Sequence, residues 1–244
     1  METDERRLCV FFEAVGTRYA IEAVRVLEVA RPEQGDETLH GNLGLRDLAS
    51  VLGGSPGVAL TTALVLDSSP TLAVRVGAVE GVFDSSSLPT VALSRRLIPL
   101  LSPAVRGTVL MEERLYFELD ADAVARGLPK QTRRPELVTA EASGPCLVFE
   151  SAEQRFGVPL PMVKQIIGRG ESFNAAPGRG AFVGVVGHRD SVFPVFSLTG
   201  VEVEPLIVII EVGEGGVGLC ARRADGVTRS LEGVTVLDPL RMFS

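Results

Sequence analysis

The chain has 244 residues, 45% of them hydrophobic, enough for one large domain or two modest ones with filled cores. Its net charge of −7, from 24 basic and 31 acidic side chains, argues against nucleic acid or an anionic membrane as main partner, and 5% aromatics with no Trp gives no platform for stacked bases. The acidic, charged start "METDERR" is no secretory signal, and no apolar run approaches the roughly 20 residues of a membrane helix, so the expectation is a cytoplasmic protein without direct membrane insertion, its three cysteines reduced.

In chain order, the first half reads as strands. "LCVFFEAVGTRYAIEAVRVLEV" (8–29), "ALVLDSSPTLAVRVGAVEGVF" (63–83) and "TVLMEERLYFELD" (108–120) are rich in Val, Leu, Ile and Phe. Gly, Pro and Ser punctuate them at intervals of about ten residues, which favours small antiparallel barrels. The runs 22–30, 45–53 and 120–128 are short enough to be helices or turns at strand ends. "GLPKQTRRPELVTAEASGP" (127–145) is polar and carries Pro129, Pro135 and Gly144, the composition of a linker.

The chain then repeats. At a shift of 137 residues, "CVFFEAVGTRYAIEAVRV" (9–26) lies over "CLVFESAEQRFGVPLPMV" (146–163) without a gap, with Cys9/Cys146, Phe12/Phe149, Glu13/Glu150, Arg18/Arg155 and Val26/Val163 identical. At a shift of 145, residues 63–84 lie over 208–229, with Glu80-Gly81-Val82 on Asp225-Gly226-Val227. This is a duplication, and it settles the meaning of Gly213-Glu214-Gly215-Gly216-Val217-Gly218. These residues, with Asp238 further on, fit a dinucleotide-binding fingerprint, in which glycines admit a pyrophosphate at a helix N-terminus. In the first copy the same place holds Ser68-Ser69-Pro70-Thr71, a turn between two apolar runs, so the glycines are expected to form a hairpin connection.

Three motifs in order carry a family resemblance: "RYAI" or "RFGVP" after an opening Phe, then "FVGVVGHRDSVFPVFSL" (182–198), then an apolar hairpin closing on "ADGV". Met in this order and twice over, they resemble the CheW-like domain of bacterial chemosensory adaptors. The resemblance implies an all-β fold: two tandem CheW-like domains, each built of small SH3-like antiparallel barrels with short helices. The expected boundaries are 1–128 for the first domain, 129–143 for a linker and 144–244 for the second domain. Two departures accompany it. Residues 31–48 occupy the space of two family strands, and Leu119-Asp120 matches Leu237-Asp238 at a shift of only 118, so the second copy lacks a segment like 93–110.

For function, the resemblance implies a non-catalytic adaptor that couples chemoreceptor cytoplasmic tips to a CheA-like histidine kinase by protein–protein contacts, with no nucleic acid. It places Arg189 near the partner surface, beside His188, Asp190, Val185, Val186 and Phe182 on one expected strand. Alternation on a strand would put His188 and Asp190 on one face, but no third ligand at suitable spacing accompanies them. No catalytic, metal or cofactor-binding residue is assigned. The alternatives are a divergent scaffold of another signalling complex, or a small-molecule-binding β-barrel enzyme.

Overall fold

In the computed structural model, residues 6–33, 35–54, 60–91, 101–127, 137–140, 144–170, 172–176, 181–189, 191–200, 204–213 and 215–243 are described. The fold is all-β with curled, half-barrel sheets, as expected. Two compact units are distinguished, one of Met1–Gln131 with Asn174–Gly178, the other of Thr132–Phe173 with Arg179–Ser244.

The first unit opens with the hairpin β1 (Leu8–Ala14) and β2 (Thr17–Glu22), whose two-residue turn, Val15-Gly16, has φ of 53° and 73°. Positive φ at both turn residues matches the twist of the flanking strands. A single 3-10 turn, Ala23–Arg25, runs into β3 (Val26–Ala30), so residues 22–30 are mostly strand. There follow β4 (Thr38–Leu39), β5 (Leu43–Asp47), and α1 (Leu48–Val51), capped by the Asp47 carboxylate accepting from the Ser50 N–H at 3.0 Å. Next come β6 (Thr62–Leu66), β7 (Leu72–Val76), β8 (Val79–Asp84), β9 (Thr90–Val91), β10 (Val105–Met111) and β11 (Arg114–Leu119). The helix α2 (Ala121–Arg126) follows Asp120, its N-cap. The strands form two sheets, ordered β8-β1-β2-β11-β10-β9 and β3-β6-β7-β5-β4.

The second unit contains β12 (Cys146–Ser151), β13 (Gln154–Pro159), a 3-10 turn at Leu160–Met162, β14 (Val163–Gly168), β16 (Phe182–His188) and β17 (Ser191–Phe196). It continues with β18 (Leu206–Val212), β19 (Gly215–Ala221), β20 (Arg223–Thr228), β21 (Thr235–Val236) and α3 (Pro239–Met242). The sheet orders are β20-β12-β13-β21 and β14-β18-β19-β17-β16-β15, the last being the short β15 (Phe173–Ala175), of which only Phe173 is counted in this unit.

The duplication extends to the register of single residues. Phe12 faces Tyr19 across the first hairpin, and Phe149 faces Phe156 across its counterpart. On the other side, Phe11 faces Gly81 and Val148 faces Gly226, and in both ladders the register slips immediately afterwards. Gly81 and Gly226 have φ of 151° and 108°, a region that L side chains rarely adopt, so the Glu/Asp-Gly-Val signature marks a bulge. Asp120 and Asp238 cap α2 and α3 in turn, accepting from Ala123 N–H at 2.8 Å and Arg241 N–H at 3.2 Å.

The copies differ in which strands they keep. Among the described residues, the sheet of β12 has four strands where the sheet of β1 has six, with no counterpart of β9 or β10. In the other pair of sheets, β5 runs parallel to β7 as β17 runs parallel to β19, but β4 has two residues where β16 has seven, and β15 has no counterpart in the first copy. Of the expected linker, residues 137–140 lie within the second unit, where Thr139 bridges Leu237 and the Ala140 N–H donates to the Val236 carbonyl at 3.0 Å.

Aromatic side chains fill the first core: Phe11 packs edge-on against Tyr116 at 4.9 Å between ring centroids, and Phe12 stacks on Tyr19 at 5.7 Å, with all four rings buried. Truncating any of them to Ala would cost about 3–5 kcal/mol, the usual loss for a buried ring.

The glycine-rich loop is a hairpin. Val212 pairs with Gly215 across it, and the strand β19 follows rather than a helix, so there is no helix terminus for a pyrophosphate. Two of the glycines serve packing. A Cβ at Gly216 would stand 2.7 Å from the Phe193 ring, and one at Gly218 would stand 2.7 Å from Ile207.

Candidate protein-interaction surface

The candidate segment is the hairpin β16–β17. His188 pairs with Ser191 at the end of its ladder, and Arg189 follows β16 outside that ladder. The expectation of one continuous strand through Arg189 is therefore corrected: Arg189 has φ of 53°, left-handed, and is exposed at the hairpin tip. The expected sharing of one face by His188 and Asp190 falls on Asp190, which lies outside the described residues.

The apolar candidates separate by burial. Val185 and Val186 are both 0% exposed, so in this structure their side chains face the interior of the unit. The physical reason was present in the run Phe182-Val183-Gly184-Val185-Val186, since a strand apolar on consecutive residues is one buried on both faces. Phe182 is half-buried and packs against Phe196, its ladder partner, at 5.8 Å between ring centroids. His188 is half-buried, with Nε2 enclosed and without a hydrogen-bond partner among the described residues. The solvent-facing part of the candidate group thus reduces to Arg189, the rim of Phe182 and part of His188.

More exposed apolar surface lies elsewhere. On the edge strand β3 and the turn before it, Val24, Leu27 and Val29 are 78%, 60% and 52% exposed. The first copy's β8 presents Val82 and Phe83, and the second copy's β20 presents Val227, again on outer strands. Clusters of this kind on a soluble surface mark interaction sites more often than isolated apolar residues do. The sequence signal was the absence of alternation in "VRVLEVA", where apolar residues exceed those one buried face can take.

The seams of the second sheets are bridged by side chains. His40 Nε2 meets the Glu28 carboxylate at 2.9 Å, joining the turn after β4 to β3, the opposite ends of one sheet. In the other copy the Arg169 guanidinium lies over the Phe173 ring at 4.2 Å from its centroid.

Gly53-Gly54-Ser55-Pro56-Gly57 spells Gly-x-Ser-x-Gly, the pattern of a hydrolase nucleophile elbow, which needs a strand before the Ser and a helix after it. Here Gly53 and Gly54 follow the helix α1 rather than a strand, and residues 55–59 lie outside the described residues. No helix among the described residues is long and apolar enough to cross a membrane.

Residues 145–233 match the family model of the CheW-like domain. The second copy is thus similar to the CheW-like domain over that stretch, and the first copy repeats its ladders and bulge. Among solved structures, the scaffolding protein TtCheW from Thermoanaerobacter tengcongensis is similar at 16% identity and a TM-score of 0.36, covering 43% of this chain and 90% of that one. No curated protein matches the chain.

Proposed function

We propose that the chain is a non-catalytic adaptor of bacterial chemotaxis-type signalling, working in the cytoplasm, that holds a CheA-like histidine kinase and chemoreceptor tips together through its barrel surfaces. The observation that carries this reading is the match of residues 145–233 to the CheW-like domain. The exposed apolar residues on outer strands suit such a role, because they give a partner area to bury without polarised catalytic side chains.

Within the second copy, Arg189 is the proposed contact residue. A guanidinium on a hairpin tip can reach a carboxylate of the partner, and arginine is favoured at interface centres. Val185 and Val186 hold the hairpin from inside, and Phe182 and His188 flank it. The test is capture of the full chain on an immobilised CheA-like kinase regulatory domain and, separately, on a receptor cytoplasmic tip. Wild type should be retained by at least one of them. Arg189→Glu should lose retention at least tenfold while its thermal melt stays within a degree or two. Retention of the variant at the wild-type level removes Arg189 from the contact, and failure of wild type on both baits rejects the adaptor reading.

A further inference from the structure

The edge strands β8 and β20 occupy the same position in the two copies, since each is the outermost strand beside the equivalent strands β1 and β12. Both are exposed along most of their length, and each presents an apolar residue after its bulge glycine, Val82 at 56% and Val227 at 54%. Phe83, 41% exposed, adds to the first.

Their charges are opposite. At the shift of 145 residues, Gly77, Ala78, Glu80 and Asp84 correspond to Arg222, Arg223, Asp225 and Arg229. The first set sums to −2, from two acids, and the second to +2, from three arginines less one aspartate. The adjoining hairpins do not alter the difference, because Glu13 and Arg18 in one copy correspond to Glu150 and Arg155 in the other. Arg6, whose charge acts on Asp84, brings the first edge only to −1. A duplicated strand whose shape is retained while its charge is reversed has become complementary to its own copy.

We infer that a second molecule of this chain docks on it head to tail, the β8 edge of one on the β20 edge of the next. Val82 and Phe83 would meet Val227, and the acidic edge of Glu80 and Asp84 would face the edge that carries Arg222, Arg223 and Arg229. Such a contact joins two different patches, so each molecule keeps one free edge of either kind, and association continues beyond a pair unless it closes into a ring. Its ionic part is at the surface and is screened within about 10 Å at 0.1 M salt, so it weakens as salt is raised. This inference does not depend on which kinase or receptor the chain serves.

The test is sedimentation of the full chain over a concentration series at low and at high salt. Wild type should exceed the monomer mass at low salt and shift back toward it at high salt. Glu80→Arg with Asp84→Arg should remain monomeric, and so should Arg222→Glu with Arg229→Asp. An equimolar mixture of these two double variants should associate again, because each then offers what the other lacks. The single variants Asp84→Arg and Arg229→Asp, each weakening association about tenfold, serve if a double variant fails to melt cooperatively. A wild type that stays monomeric at low salt, variants that associate like wild type, or a mixture that stays monomeric would each overturn the proposal.

Discussion

The Glu204 carboxylate accepts a 2.7 Å hydrogen bond from the Ser151 hydroxyl, with Ser151 0% and Glu204 3% exposed. Its other oxygen accepts from the Ala152 N–H, also at 2.7 Å, so one buried side chain ties the segment before β18 to the turn of the hairpin β12–β13. Glu204→Ala would leave the half-buried Ala152 N–H without its acceptor, at about 1–3 kcal/mol, and the buried Ser151 hydroxyl with only the Thr199 hydroxyl at 3.3 Å, a smaller loss. The expected result is a loss of about 1–3 kcal/mol in chemical denaturation, with Glu204→Gln losing less because its amide oxygen still accepts one of the two bonds. Equal stability of wild type and Glu204→Ala would contradict this account.

The glycines of the β18–β19 hairpin should differ in cost. A methyl at Gly215 meets nothing within 4 Å, so Gly215→Ala should change stability by at most about 1 kcal/mol. A methyl at Gly218 would press on Ile207 and on Val195, at 2.7 and 3.1 Å, and overpacking of that kind costs about 1–3 kcal/mol. Neither wild type nor Gly215→Ala should bind NAD or ATP in a calorimetric titration. Saturable binding lost on Gly215→Ala would restore a nucleotide site.

What the sequence revealed and what it concealed follow from the range of the interactions. The hairpins were legible because strand residues and turn residues leave marks a few positions apart, and duplication printed them twice: Phe12 with Phe149, Tyr19 with Phe156, Gly81 with Gly226; the bulge at the two glycines was seen only in the ladders. The Arg189 turn was not, since the pairing of His188 with Ser191 depends on where the ladder ends, and no Gly or Pro stands there to announce it. Glu204 was hidden for another reason. In the first copy Ser151 corresponds to Ala14, so the comparison that exposed the fold had no counterpart for this contact.

The cysteines should be inert in the native state. Cys9, Cys146 and Cys220 are all buried, and burial raises each thiol, Cys220 to about 12, with the Glu204 charge adding to the rise. Thiolate is the reactive form, and burial disfavours it at all three positions while also keeping reagent away. A chromogenic disulfide reagent should therefore titrate no thiol within minutes in buffer and all three in denaturant. Rapid labelling of the native chain would show that one of the cores opens.

In the first unit, Arg106 and Arg7 share the carboxylates of Glu22 and Glu118. Arg106 reaches both acids at 2.6 Å, and Arg7 bonds Glu22 at 3.0 Å and also Glu118, which is 4% exposed. The ladder of β10 with β11 slips between Val105 and Gly107, and this bulge carries Arg106. Hydrogen bonding to Arg106, helped by its charge and by Arg7, holds the Glu22 carboxyl below the usual range. A folded-state pKa below the unfolded one contributes stability that is present above the unfolded value, about 4.3 for glutamate, and is lost as pH falls through the lower folded value. Arg106→Leu removes that contribution and leaves Glu118 with Arg7 alone. Because the arginines are about a third exposed, the loss at neutral pH should be about 1–2 kcal/mol, less than for a fully buried pair. The acid limb of a stability–pH profile should become shallower between pH 5 and 3 in the variant, since Glu22 then releases less on protonation. A variant whose acid limb superimposes on that of wild type, offset by a constant amount, would show that Glu22 does not titrate through Arg106.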